Sequence, residues 1–217
     1  MRPLLTLLFL ASILSAEPEE TAWTPLFNGK DFEGWSFDVL DDSDPKSIWS
    51  VKDGTVLVSG KGKSTGVMRT SKDYADYELE FEWCWPDKPG NSGLLLHCGE
   101  PRERNVWPHS LEVQLANGDA GDFITIGKSI DVPKEQHAKF EPGQWMERLR
   151  HNLTDDSEKK PGEWNKIRVL AEGGNITVHI NGHLVNKGTN CSARKGAICL
   201  QSEGANVQFR NIRLRAR

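Results

Sequence analysis

Short runs of alternating apolar and polar residues, each closed by a turn pair, recur along most of this chain. Tyr77, Leu79, Phe81, Trp83 and Trp85 alternate with Glu78, Glu80, Glu82 and Cys84, and Leu111, Val113 and Leu115 alternate with Ser110, Glu112 and Gln114. Ile176, Val178 and Ile180 alternate with Thr177, His179 and Asn181, and Ile198 and Leu200 with Cys199 and Gln201. Successive side chains of a strand point to opposite faces, so each run presents one face to a core and one to solvent or a site. Asn28-Gly29, Asp53-Gly54, Pro89-Gly90, Asn117-Gly118, Gly173-Gly174, Asn181-Gly182 and Glu203-Gly204 supply the turns between them. Many short strands at this spacing predict an all-β sandwich of two packed antiparallel sheets. The 217 residues suffice for one such domain, expected from residue 22 to 217, with no internal repeat or linker.

Residues 1–16, MRPLLTLLFLASILSA, have one basic residue, an apolar stretch and small residues before the acidic EPEE, the pattern of an export signal. The run is too short to span a bilayer. A periplasmic or secreted protein is therefore expected, with no membrane span. In that compartment Cys84, Cys98, Cys191 and Cys199 could form two disulfides, Cys84 with Cys98 being one pairing; four buried thiols is the other reading. Their spacing does not suit a structural zinc. A net charge of −4 leaves no overall basic footprint for nucleic acid.

Polar side chains gather on the strand faces turned away from the core. Glu112 and Gln114 stand two apart on one face, a carboxylate beside a carboxamide, able to bind vicinal hydroxyls and to accept a proton. Asn91-Ser92-Gly93 opens the preceding strand, and His97 lies farther along it. His97 on that strand and Gln201 near the end of a later one are expected to share the face of Glu112, with Glu203 at its edge. Trp107 and His109 are candidate sugar contacts with Asn91 and Ser92, since an aromatic face packs well on a pyranose. The acidic run Asp38–Asp44 reads as a solvated turn, calcium ligation being the alternative. Residues 128–163 are charged and marked by Pro and Gly, a solvated excursion or a rim over the site. Within them, Gln144–Asn152 is expected to form a helical turn carrying Trp145 and Leu149.

The opening Leu26-Phe27-Asn28-Gly29-Lys30-Asp31-Phe32-Glu33-Gly34-Trp35 resembles that of the 3-keto-disaccharide hydrolase domain family. Trp49–Gly54, Tyr77–Trp83, Asn91–Leu94, Glu112-Val113-Gln114, Gly162–Asn165, His179–Gly182, Gly196–Gly204 and Val207–Ile212 continue the likeness in order. The chain departs from the pattern around the site. His97 lies where an arginine is common, Asp122–Gly127 replaces a "GAIYG" stretch, and Glu203 stands where many members have histidine. The resemblance implies a concanavalin A-like jelly roll acting on glycosides oxidised to a ketone at C3. It implies Glu112 as base, with Gln114 and His97 orienting the sugar. Gln201 and Glu203 would serve as rim or metal contacts, a divalent metal being the possible cofactor. A non-catalytic carbohydrate-binding module is the alternative. A laminarinase-type site would need Glu-x-Asp-x-x-Glu, and here Glu112 is followed by Gln114 and Asn117 with no second carboxylate.

Overall fold

The computed structural model describes residues 21–154 and 157–217; the expected export signal lies outside them. Among the described residues, two antiparallel sheets face each other, as expected. The back sheet runs β13 (His183–Gly188), β12 (Asn175–Ile180), β11 (Asn165–Glu172), β6 (Tyr77–Cys84), β15 (Asn206–Ala216), β4 (Thr55–Ser59) and β3 (Trp49–Lys52). The two-residue β1 (Thr24–Pro25) also pairs with β15. The front sheet runs β10 (Leu149–Arg150), β9 (Phe123–Ile126), β8 (Ser110–Gln114), β7 (Gly93–Cys98), β14 (Ala197–Ser202), β5 (Gly66–Thr70) and β2 (Trp35–Val39). The described residues hold no helix long and apolar enough to cross a membrane.

The period-two runs become the two walls of one core. Tyr77, Leu79, Phe81, Trp83 and Trp85 are buried between the sheets together with Leu94, Leu96, Leu111, Val113, Phe123 and Leu200. Fully burying a side chain of this size contributes roughly 1.5–3 kcal/mol, so the alternation dictates which way each strand faces. The front sheet also carries a smaller apolar layer on its outer face: Val67, Leu95, Cys98, Ile126, Ala197 and Cys199, with Trp107 and Ile124 packed on it. That layer floors the site.

The disulfide expectation needs correction. Cys84 lies in the back sheet and Cys98 in the front one, because the Pro86–Asn91 turn crosses between sheets instead of closing a hairpin. All four cysteines are buried free thiols, the second of the two readings. The acidic run at Asp38–Asp44 is largely exposed, in keeping with the solvated turn expected. Arg102 pairs with Asp38 at 2.7 Å and Asp42 at 3.3 Å, and Asp44 caps the backbone N–H of Lys46.

Candidate active site

The register of the front sheet decides which polar residues meet. On β7 and β8, Gly93 lies opposite Gln114 and Leu95 opposite Glu112. On the far side Glu112 faces Ile124 of β9. Glu112 thus stands among apolar neighbours on the outer face, only 5% exposed. Gln201 reaches it across β7, its Nε2 donating to Glu112 Oε1 at 2.9 Å. Gly93 lies between the two: a Cβ there would sit 2.4 Å from Glu112 Oε1 and 2.5 Å from Gln201 Oε1. The glycine of the Asn-Ser-Gly motif is the clearance that lets these side chains converge.

Among the described residues, no cation relieves Glu112. Burial, reinforced by the nearby Glu203 carboxylate, pushes its pKa up to about 8 against the opposing hydrogen bond from Gln201. Burial raises Glu203 as well. A carboxylic acid held near neutrality in a cleft is placed for proton transfer. The cleft has a volume of about 370 Å³. Glu112, Gln114, Asn91 and Glu203 line it, as do Trp107, Ile124, Ile126, Arg104, Asn105, Trp145 and Arg148.

Of the residues read from sequence, Glu112, Gln114, Asn91, Trp107 and Glu203 therefore meet in this cleft. Gln114 is partly committed, since its Oε1 accepts the backbone N–H groups of Leu115 and Ala116 and closes the turn after β8. Ser92 is fully buried and donates to the Gln201 carbonyl at 2.9 Å, tying β14 to the start of β7. His109 is held aside by Glu103, 2.8 Å from its Nε2.

His97 is not brought to the site. Its φ is +52°, and the β7–β14 register shifts between Ala197 and Cys199. The irregularity reverses the alternation: Cys98 joins the outer apolar layer, while His97 packs edge-on against core Tyr77 at 5.3 Å. Its ring nitrogens lie 2.8 Å from the Ala193 carbonyl and 2.9 Å from that of Ala75. Gly196 permits the bulge, because a Cβ there would lie 2.5 Å from the Cys98 carbonyl oxygen. Strict period-two counting cannot see such a bulge.

Sequence reasoning missed Arg104, Asn105, Ile124, Ile126 and Arg148. Alternation along Phe123–Ile126 would have found the two isoleucines; the arginines lie in segments without periodicity. Of the 128–163 segment, Trp145 and Arg148 line the cleft. Trp145–Arg148 makes a 3₁₀ turn followed by β10, so Trp145 belongs to the expected helical turn and Leu149 to a strand. Buried Gln136 anchors the segment by donating to the His151 carbonyl and to Asn186 Oδ1. Asp122 accepts the Asn152 backbone N–H at 2.6 Å.

No group of three His, Cys, Asp or Glu residues suited to a metal gathers among the described residues. Gln201 Oε1 and Asn91 Oδ1 are nonetheless buried without hydrogen-bond partners, in or beside a cleft that holds two carboxylates. An all-oxygen set of this kind fits a hard divalent cation and does not fit zinc.

Over residues 22–215 the sequence matches the family described as a 3-keto-alpha-glucoside-1,2-lyase-like domain. The chain belongs to that family. Among solved structures, a provisionally assigned glycosyl hydrolase of Parabacteroides distasonis is 24% identical, with 90% of this chain and 94% of that one covered and a TM-score of 0.62. The carbohydrate-binding module CBM66 of Bacillus subtilis is 13% identical, with coverages of 84% and 96% and a TM-score of 0.58. LamAcat of Zobellia galactanivorans is 11% identical, with coverages of 91% and 97% and a TM-score of 0.54. These likenesses establish a lectin-like jelly roll, a fold shared by enzymes and binding modules. No curated protein matches the chain in sequence.

Proposed function

We propose that this protein cleaves glycosides whose sugar carries a ketone at C3, with Glu112 as the proton acceptor. One observation carries the reading: a buried carboxylate with no cationic partner among the described residues, raised to about 8, on the wall of a cleft of sugar size. A C3 ketone acidifies the C2 proton, and the aglycone oxygen on C1 is β to the resulting carbanion. Ionised Glu112 takes the C2 proton, and the C–H electrons pass into the enolate. Reforming the C3 carbonyl pushes that pair to C1–C2 and breaks the C1–O bond, so the aglycone leaves and takes up the proton that Glu112 had accepted, which restores the base. Water then adds across the new double bond, hydroxyl to C1 and proton to C2. One base suffices, and the second carboxylate of a retaining glycosidase is not required.

Other residues supply the setting. Gln201 holds the base by its amide, and Trp107 and Trp145 offer apolar faces for the ring. Arg104 and Arg148 line the same cleft and would offset the charge that develops on the C3 oxygen. Where a divalent cation binds, Glu112, Glu203, Gln201 and Asn91 would hold it. It would polarise the ketone and favour the ionised form of Glu112. On this reading the protein works in the periplasm or outside the cell, as residues 1–16 lead one to expect.

The test compares p-nitrophenol release from its 3-keto-glucoside and from the unoxidised glucoside, by wild type and Glu112→Gln. Release from the keto substrate alone, lost in the variant, is the expected result. Glycan binding with release from neither substrate would instead make this protein a binding module.

A further inference from the structure

The back sheet carries an arrangement that the cleft does not use. On its outer face Glu78, Glu80 and Glu82 of β6 lie at or below the surface, their side chains 0%, 11% and 25% exposed. Cations from both neighbouring strands cover them. Arg168 of β11, Arg215 of β15 and Arg217 pair with Glu78; Lys166 and Arg213 pair with Glu80; Arg210 pairs with Glu82. Two of the three carboxylates thus hold more than one cation. The additional ones are Lys166, Arg168 and Arg217, their side chains 50%, 51% and 31% exposed.

Two clefts open on this face. One, of about 620 Å³, has Glu80, Glu82, Lys166 and Arg213 as its charged lining, and the other, of about 440 Å³, has Glu80, Lys166, Arg168 and His179. Glu80 and Lys166 line both, so the two clefts adjoin across β6 and β11 and are taken together as one groove.

We infer that this groove binds a sulfated or otherwise anionic polysaccharide, at a site separate from the Glu112 cleft. Guanidinium groups whose inner N–H bonds are fixed by buried carboxylates are preorganised, and their outer N–H groups match the planar, bidentate demand of sulfate and carboxylate oxygens. Cations two residues apart on one strand face repeat every ~7 Å, so they offer a rigid row to a repeating anionic chain. Single-stranded nucleic acid is the less suitable polyanion. It needs open aromatic faces for base stacking. Here Trp164 is capped by Arg210 at 3.9 Å, and Trp23 is flanked by Arg213 and Arg215 at 4.7 and 4.9 Å.

The pairing pattern also supplies the test. Lys166→Gln/Arg168→Gln/Arg217→Gln removes the additional cations and leaves each glutamate one arginine: Arg215 on Glu78, Arg213 on Glu80 and Arg210 on Glu82. Binding of dextran sulfate, neutral dextran and single-stranded DNA to the purified protein is measured by calorimetry from low to high NaCl. Wild type is expected to bind dextran sulfate, more weakly as salt rises, and not to bind neutral dextran. The triple variant should lose about tenfold or more in affinity and show a shallower salt dependence. Release of p-nitrophenol from the keto-glucoside should stay unchanged, because the other sheet carries that site. Lys166→Gln alone, with Glu80 still held by Arg213, gives the same direction if the triple variant unfolds early. Absence of dextran sulfate binding at low salt, equal binding by the variants, or equally tight binding of single-stranded DNA would each overturn the assignment.

Discussion

Two glutamates, each nearly or fully buried on the outer face of its sheet, have opposite surroundings. Glu78 on the back sheet is held by Arg168, Arg215 and Arg217. Despite a large opposing desolvation effect, Arg168 and Arg215 keep its carboxyl below the ordinary range. Glu112 on the front sheet has an amide, an apolar surround and a second carboxylate, and it is raised to about 8. Burial alone therefore does not mark a catalytic acid or base. The missing counter-ion does: a charge the fold leaves uncompensated is one it keeps available for chemistry.

The largest expected effects come from neutralising each glutamate in turn. Glu112→Gln should lower aglycone release by about 10²–10⁴-fold while leaving thermal stability intact, because it removes a group whose ionised form is unwelcome. Glu78→Gln should do the reverse. It strands arginines over the back sheet and should cost roughly 3–5 kcal/mol of stability, with kcat of the folded protein unchanged. Thermal unfolding and initial rates on the same two variants separate these outcomes.

Gly93→Ala sharpens the front half of the comparison. Its Cβ would enter the space shared by Glu112 and Gln201. Displacing a base by an ångström can cost on the order of 10²-fold, so kcat should fall with a smaller change in KM. An unchanged rate would mean that the Glu112–Gln201 contact is dispensable.

The two carboxylates should also give opposite pH dependences of stability. Glu112 titrates near 4.5 when unfolded and near 8 when folded. The native state holds the extra proton, so this contribution is complete below pH 4.5 and lost as pH rises through 8, with a slope of at most about 1.4 kcal/mol per pH unit. Glu78 is lowered on folding, so its contribution is present above its unfolded pKa of about 4.5 and lost as pH falls through the folded value. Denaturant unfolding from pH 4 to 9 should show stability rising with pH at the acid end and declining toward pH 8. Glu112→Gln should flatten the decline alone.

The smallest change is expected from Glu203→Gln. Removing its charge leaves Glu112 buried but takes away a like neighbour, so the acid limb of kcat/KM should shift below 8 while staying above 4.5. A limb that stays put would assign the raised pKa to burial alone.

The sheets were legible in the sequence because their cores are period-two runs, and Glu112 and Gln114 were found as neighbours for the same reason. Gln201 was readable by alternation but not by partner, since only the β8–β7–β14 strand order brings it to Glu112. His97 was misplaced because a bulge at a positive φ reverses the count within one residue. Arg104, Trp145 and Arg148 come from irregular segments, where placement depends on long-range anchors such as Gln136 and Asp122. The surplus of arginine on β15 was visible as letters. Its meaning depended on seeing that β6 and β11 flank one another and that β6 supplies the carboxylates.

The most direct test is the titration of Glu112 itself. Protein carrying ¹³C-labelled glutamate carboxyls and stripped of divalent cations would be followed by NMR from pH 3 to 9, with Glu112 assigned by its loss in Glu112→Gln. A midpoint near 8, with Glu78 titrating below 4.5, is the predicted result. A Glu112 midpoint at or below 4.5 would mean that the fold compensates this carboxylate as fully as it does Glu78, and would contradict its role as the base.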